Sequence, residues 1–310
     1  HNFDAMAGMI KNFVSVIIPV YNDWSRLRDC LEGLAGQTFP MHQFEVIVVN
    51  NNPSYPCPYP LPASNMRVID EPNKSSYAAR NKGLGAAKGD VLAFTDSDCR
   101  PDPEWIQNAL NCMETNKWTM AGGNIVFDFR NPNSAAEVLD ASTYLDNERY
   151  IGKHASAVTA NLFVSRIVFG SVGHFNGSLQ SGGDFAFTRQ AVIKGFSLGY
   201  CSQARVYHPT RGFVGGIKKT IRMGVNRAWI KDKHSASISQ RLLALILRLI
   251  PIANPFRILK TIRTYGLKKG FLFVRTMLLS VVFGMVFNLS LIYGLITYSI
   301  RQSFNLIKAK

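Results

Sequence analysis

Val91-Leu92-Ala93-Phe94-Thr95-Asp96-Ser97-Asp98 runs from five residues of strand character straight into two carboxylates one residue apart. A strand that stops at Thr95 leaves both acids at its carboxyl end. Open α/β sheets place their ligands there, and a hard cation can bridge a carboxylate to a phosphate. Alone, an Asp-x-Asp before Arg100-Pro101 reads equally well as two solvated loop acids. The surrounding chain has to decide between the two.

Working outward, Val14 to Val20 is a β-branched run ended by Tyr21-Asn22-Asp23, the pattern of a buried strand and turn. Leu27, Cys30, Leu31 and Leu34 then recur at helical spacing. Phe44 to Val49 reads as a second strand, stopped by Asn50-Asn51-Asn52-Pro53, and the proline-rich stretch 53–62 reads as an irregular loop. Val68-Ile69 is a brief third strand, 75–87 suits a helix, and Val91 to Thr95 is the fourth strand. Strands alternating with helices over 14–110 predict an α/β fold, a Rossmann-like, doubly wound, mostly parallel sheet with both faces covered. The turns after Val20, Val49 and Thr95 should then converge on one crevice. Residues 119–200, with Gly-rich turns at 121–123 and 181–183, should complete the sheet and wall the cleft.

The 310 residues carry a net charge of +15, unevenly spread. Residues 201–310 hold 19 Lys or Arg against the single acid Asp232, giving +18, whereas 1–200 hold 16 against 19, giving −3. Such a tail faces phosphate, of lipid or nucleic acid. Within it, 240–250 is apolar with Arg241 and Arg248 on one helical face, Pro251 and Pro255 interrupt, and 256–269 sets Ile258, Leu259, Ile262 and Tyr265 opposite Arg257, Lys260 and Arg263. That second pattern is a basic helix lying in a membrane surface. Residues 276–300 then run without a charge, long enough for the roughly 20 residues a span requires; a buried helical hairpin broken near Asn288 is the soluble alternative. Six Lys or Arg lie in 257–275 against three after Ile300, so the positive-inside rule leaves the preceding domain on the cytoplasmic face of the inner membrane. The domains expected are 1–215 catalytic, 216–275 interfacial helices, 276–300 a membrane-embedded helix and 301–310 a basic tail. Cys30, Cys57, Cys99, Cys112 and Cys201 are odd in number and lack paired or metal-type spacing, which favours a reducing compartment and no structural zinc. The first ten residues lack the basic and apolar regions of a signal peptide, and the sequence starts with His1 rather than Met.

The series Val16-Ile17-Ile18-Pro19-Val20-Tyr21-Asn22, Val46 to Asn52, Ser76-Tyr77-Ala78-Ala79-Arg80-Asn81-Lys82-Gly83, and Ala86 to Asp90 leads into Phe94-Thr95-Asp96-Ser97-Asp98. It continues through Thr159 to Phe163, Val172 to Asn176, and Ser181-Gly182-Gly183-Asp184-Phe185. In this order, over residues 14 to about 215, it resembles the family 2 glycosyltransferases of the GT-A fold, membrane-associated bacterial type. The resemblance implies an inverting, metal-dependent transfer of a sugar from a nucleoside diphosphate, UDP in the first instance. The expected acceptor is a glycan or a membrane-borne, lipid-linked molecule of envelope polysaccharide or glycolipid synthesis. Its implied partners are the donor, the acceptor and membrane lipids, with no nucleic acid.

By that resemblance Pro19, Val20 and Tyr21 line the nucleoside pocket, with Asp23 near the base or ribose; strand-end turn chemistry also accounts for Pro19 and Tyr21. Family members commonly place an acid after the second strand, against uracil. Here Asn50 and Asn51 stand there, able to accept from a base N–H and also to donate, or to serve only as a turn before Pro53. Arg80 would reach a diphosphate oxygen or an Asp-x-Asp carboxylate. Asp98 would be the metal ligand, with Asp96 and Ser97 at the ribose or the metal's water shell and His208 a third metal or diphosphate contact. Oxygen ligands favour Mg²⁺ or Mn²⁺. Asp184 would be the general base, although family members often carry Glu-Asp where this chain has Gly183-Asp184, and an Asp capping the next helix reads similarly. Arg211, Lys218, Lys219, Arg222 and Arg227 could close over the diphosphate or face lipid phosphates, the latter weighing more. A nucleotidyltransferase of similar fold is the rival enzyme, but Val20-Tyr21-Asn22-Asp23 is not its Gly-rich basic loop. A basic nucleic-acid binder is the rival from another class, opposed by the uncharged 276–300 stretch.

Overall fold

The computed structural model describes residues 13–230, 253–268 and 270–308, with side chains omitted for 226–230 and 298–308. The helix expected over 240–250 and the Arg227 side chain lie outside the described residues.

Strands β1 (Val14–Val20), β2 (Phe44–Asn50), β3 (Met66–Asp70) and β4 (Val91–Thr95) alternate with helices α1 (Trp24–Ala35) and α2 (Ser76–Ala86). After β5 (Arg100–Pro101) and α3 (Trp105–Thr115) come β6 (Met120–Asp128), α4 (Ala135–Thr143), α5 (Asn147–His154), β7 (Asn161–Ser165), α6 (Arg166–Val172), α7 (Gly183–Ile193) and β8 (Leu198–Pro209). They form one eight-stranded sheet of order β3-β2-β1-β4-β7-β6-β8-β5. Neighbours β3, β2, β1 and β4 are parallel. β7 opposes both β4 and β6, β8 again runs with β6, and β5 opposes β8. Six strands therefore share one direction and the sheet is mixed, mostly parallel.

Both faces are covered, as a run with nearly every residue buried in β1 requires. Period-two alternation sends Val16, Ile18, Val46, Val48 and Ala93 to one side, against Leu27, Leu31 and Leu34 of α1 and Trp105, Ile106 and Ala109 of α3. Ile17, Ile47, Val49, Leu92 and Phe94 face the other side, against α2, α6 and α7. Each fully covered Leu, Ile or Phe contributes about 1.5–3 kcal/mol. These two layers hold the strand ends, and so the site, in fixed register.

The β6/β8 register shifts between Gly123 and Asn124, where Gly123 pairs with Cys201 but Asn124 with Arg205. The buried amide of Asn161 fills the irregularity, donating to Asn124 O and Ala204 O at 2.9 Å each and accepting from Trp105 Nε1 at 2.9 Å. A Cβ on Gly123 would collide with this amide and with Ala204 O, so glycine is required. Cys112 of α3 and Cys201 of β8 form a disulfide. The reducing compartment expected from the odd count and unpaired spacing is at odds with this bond: pairing across 89 residues is set by the fold and leaves no mark in local spacing.

Residues 13–128 and 145–209 form one compact unit; 129–144 and the described residues from 210 onward form another. In the second, α4 packs with α9 (Pro255–Thr264) and α10 (Phe271–Lys308) around Val138, Leu139, Ile258, Ile262, Leu272 and Phe283. α8 (Phe213–Ile230) belongs to the same unit. α10 is a single helix of 38 residues, continuous through Asn288 and into the stretch expected as a separate tail. It alone among the described residues is long and apolar enough to cross a membrane, over Phe271–Thr297 with mean hydropathy 2.1.

Candidate functional site

The carboxyl ends of β1, β2 and β4 lie side by side, because β1 is hydrogen-bonded to both neighbours in parallel register. At the first end Pro19 is half-buried, Val20 buried and Tyr21 exposed; Asn22 takes φ 59°, turning the chain away. Asp23 follows and pairs with Arg26 at 3.5 Å.

At the second end Asn50 is buried and fully engaged. Its amide nitrogen donates to Asp70 Oδ1 at 3.0 Å and Tyr55 O at 3.3 Å, and its oxygen accepts from Asn52 N at 3.1 Å. Asn51 donates to Glu71 O at 2.8 Å and Asn73 O at 2.6 Å, which uses both amide hydrogens and leaves its Oδ1 as an acceptor. Of the two, Asn50 ties the loop together and Asn51 keeps a hydrogen-bonding atom in hand.

At the third end Asp96 accepts from Arg80 Nη2 at 2.5 Å. Arg80 is 4% exposed on α2, a helix started by Ser75, whose hydroxyl accepts from the N–H groups of Tyr77 and Ala78. Ser97 lies half-buried between the two acids. Asp98, 14% exposed, meets Arg26 Nη1 at 3.5 Å and His208 Nε2 at 3.6 Å. His208 sits wholly buried in β8, with Nδ1 2.7 Å from Pro209 O. A carbonyl only accepts, so Nδ1 carries a proton and Nε2 is the nitrogen turned toward Asp98. A ligand histidine is commonly oriented this way, with its other nitrogen bonded to a carbonyl. Asp98, Cys99 and His208 bring three potential ligand atoms within 4.8 Å of one another. Burial, then the Asp98 and Asp96 charges, push the Cys99 thiol well up, so it stays protonated and leaves the oxygen and imidazole ligands for a hard cation.

Asp184, 9% exposed, stands in the first turn of α7. Its Oδ1 accepts from the Tyr77 hydroxyl and from Phe185 N, each at 3.0 Å, and its Oδ2 from Thr159 N at 3.2 Å. Gly182, not Asp184, is the N-cap. Asp184 has no cationic partner among the described residues. Arg80 links this acid to the Asp-x-Asp: its guanidinium lies 5.6 Å from the centroid of the Tyr77 ring while binding Asp96.

Two expectations for the basic run change. Arg211 and Lys219, expected over a diphosphate or on lipid phosphates, both pair with buried Asp140 of α4, at 3.6 and 3.5 Å. Burial of that acid on a helix distant in sequence draws them inward, while Lys218 and Arg222 remain exposed. Sequence reading also gave no role to Tyr77, and the usable signal was the small residue Gly183 beside Asp184. His154 and His174 take no part in the arrangement described.

The architecture is that of the GT-A enzymes. The mannosyltransferase PcManGT from Pyrobaculum calidifontis, solved with GDP-Man and Mn²⁺, matches it with a TM-score of 0.55 over 89% of this chain and 86% of that one, at 16% identity. The chain belongs to glycosyl transferase family 2, whose profile matches residues 15–175. The glycosyltransferase AglE of Haloferax volcanii is 35% identical over 231 residues, covering 72% of this chain and 76% of that protein. A dolichyl N-acetyl-α-D-glucosaminyl phosphate 3-β-D-2,3-diacetamido-2,3-dideoxy-β-D-glucuronosyltransferase of Methanococcus voltae is 22% identical over 232 residues, covering 69% and 72%.

Proposed function

We propose that this glycosyltransferase moves a sugar with inversion from a nucleoside diphosphate, UDP before GDP, to a hydroxyl of a membrane-borne or lipid-linked acceptor. The observation that carries the reading is Asp184: a nearly buried carboxylate that meets only uncharged donors. Its Oδ2, the oxygen with the longer bonds to the protein, takes the proton of the acceptor hydroxyl. That oxygen then forms the new bond at the anomeric carbon from the face opposite the departing group. The bond to the diphosphate breaks, and the diphosphate leaves with the electron pair.

On the donor side Pro19, Val20 and Tyr21 border the nucleoside, and Asn51 Oδ1 accepts the N–H that uracil and guanine both present. Asp23 lies toward the ribose. Asp98 and His208 suit a divalent cation, Mg²⁺ or Mn²⁺, since a carboxylate oxygen and an imidazole nitrogen face each other with the histidine tautomer already set. When bound, such an ion supplies counter-charge to the diphosphate. Asp96 and Ser97 complete that edge, and Arg80 holds Asp96 in place.

The lipid-linked acceptor is supported by the basic tail, by the apolar span of α10, and by the dolichyl-linked substrate in the name of the Methanococcus relative. The count of six basic residues in 257–275 against three after Ile300 supports a cytoplasmic catalytic unit by the positive-inside rule. The deciding experiment is release of nucleoside diphosphate from a panel of UDP- and GDP-sugars, with Mn²⁺ or EDTA, using the detergent-solubilised full chain. Turnover with one donor, lost in EDTA and in Asp184→Asn, is expected. Undiminished turnover in Asp184→Asn overturns the mechanism, and release of the protein from membranes by salt alone overturns the attachment.

A further inference from the structure

Tyr77 is 4% exposed and lies 107 residues from the acid it touches. Its hydroxyl donates to Asp184 Oδ1 at 3.0 Å, and the Phe185 N–H reaches the same oxygen at the same distance. Those two bonds fill the two acceptor positions of Oδ1. Oδ2 receives the Thr159 N–H at 3.2 Å and the Thr159 hydroxyl at 3.5 Å, both longer than the bonds to Oδ1. Oδ1 is thus the oxygen the protein holds more tightly, and at Oδ2 a substrate hydroxyl has only the long Thr159 hydroxyl contact to displace.

The ring reaches this place because residue 183 has no side chain. A Cβ built on Gly183 would stand 2.9 Å from one Tyr77 ring carbon and 3.0 Å from two others. At such distances something must shift, and the ring has neighbours beyond it: Phe175, with ring centroids 5.9 Å apart, and the Arg80 guanidinium 5.6 Å from its centroid. The glycine and the tyrosine are therefore parts of one arrangement.

We propose that Tyr77 is the positioning residue of Asp184, its hydroxyl occupying Oδ1 so that Oδ2 is the oxygen that meets the acceptor, and that Gly183 serves to admit the Tyr77 ring. The inference rests on Asp184 being the general base. Burial first, and then the Asp184 charge, raise the Tyr77 phenol far above its ordinary value, so it remains a donor throughout the working pH range. Tyr77→Phe isolates the effect, since phenylalanine keeps the ring, its packing on Phe175 and the surface under Arg80.

The test compares wild type, Tyr77→Phe, Gly183→Ala, their double variant and Asp184→Asn as full chains in detergent. The donor is whichever UDP- or GDP-sugar gives the fastest diphosphate release. Loss of one hydrogen bond that orients the base should lower kcat about 10-fold in Tyr77→Phe. The donor KM and the melting temperature should stay close to wild type. Gly183→Ala should show the same split between kcat and KM, and the double variant should be no slower than the slower single variant, because both remove the same contact. An inactive Asp184→Asn beside a Tyr77→Phe with wild-type kcat overturns the role of Tyr77 alone. Asp184→Asn at the wild-type rate overturns the base and the positioning role together. Additive losses in the double variant overturn the coupling of Gly183 to Tyr77.

Discussion

Two buried aspartates, one in each unit, are held in opposite ways. Asp184 is 9% exposed and touches the Tyr77 phenol, the Thr159 hydroxyl and two backbone N–H groups; Asp140 is 3% exposed and touches the Arg211 guanidinium, the Arg211 N–H and the Lys219 amine. Burial of an acid therefore does not by itself mark chemistry. An acid surrounded by neutral donors has no counter-ion of its own, the setting the proposed base needs, whereas one matched by cations is a fastener between helices.

The comparison breaks most visibly at Asp184. Asp184→Asn should lower kcat by about 10³-fold with little change in melting temperature, the scale of a lost general base; steady-state assay beside a thermal melt checks it. Asp140→Asn should do the reverse. It leaves Lys219 and Arg211 without their partner, so about 3 kcal/mol of stability should go, read as a lower melting temperature in detergent with kcat per folded molecule unchanged. If Asp140→Asn instead abolished turnover in a fully folded protein, the division between tool and fastener would be wrong. Asp98→Asn comes next, raising the Mn²⁺ needed for half-maximal activity by about 10- to 100-fold, as a metal titration of the assay would show.

The smallest effect concerns Lys219 and has a definite sign. Burial lowers its amine to about 7, against the upward pull of Asp140. The unfolded chain, with a lysine near 10.4, then binds more protons than the folded one between those values. Lys219 should make stability rise with pH from about 7 toward 10, its cost being full below 7. Thermal melts of wild type and Lys219→Met should diverge at pH 7 and converge by pH 9.5. The opposite trend would mean that the ion pair with Asp140 dominates burial.

Much of the parallel sheet was legible because its strands are continuous β-branched runs with turn residues at their ends, and short contacts within one strand end, such as Asp96 and Asp98, came with it. The remainder depends on contacts far apart in sequence. His208 reaches Asp98 because β5, just after Asp98, pairs with β8 with Arg100 opposite Tyr207; composition and spacing do not show that pairing, and only the family resemblance pointed to His208. Asn50 and Asn51 read alike in the sequence, yet the loop from Pro53 and the end of β3 consume one amide wholly and spare an oxygen of the other. Lys219 read as a surface cation since its counter-ion stands 79 residues earlier, on a helix whose burial periodicity cannot reveal. Length and apolar character made α10 visible, but its continuity through Asn288, between Gly284 and Gly294, had to be seen.

The grouping of 129–144 with the C-terminal helices has a practical consequence for anyone wanting a soluble enzyme. Ending the chain near residue 215 looks natural from the sequence, yet it strips α4 of its cover. Ala135, Val138 and Leu139 would lose Ile258, Ile262, Leu272 and Phe283, and Asp140 would lose Lys219. The shortened product should clump even though Arg80, Asp96, Asp98, Asp184 and His208 are all still present. A workable trimming has either to retain the helices that shield α4 or to replace 129–144 with a short bridge from β6 to α5.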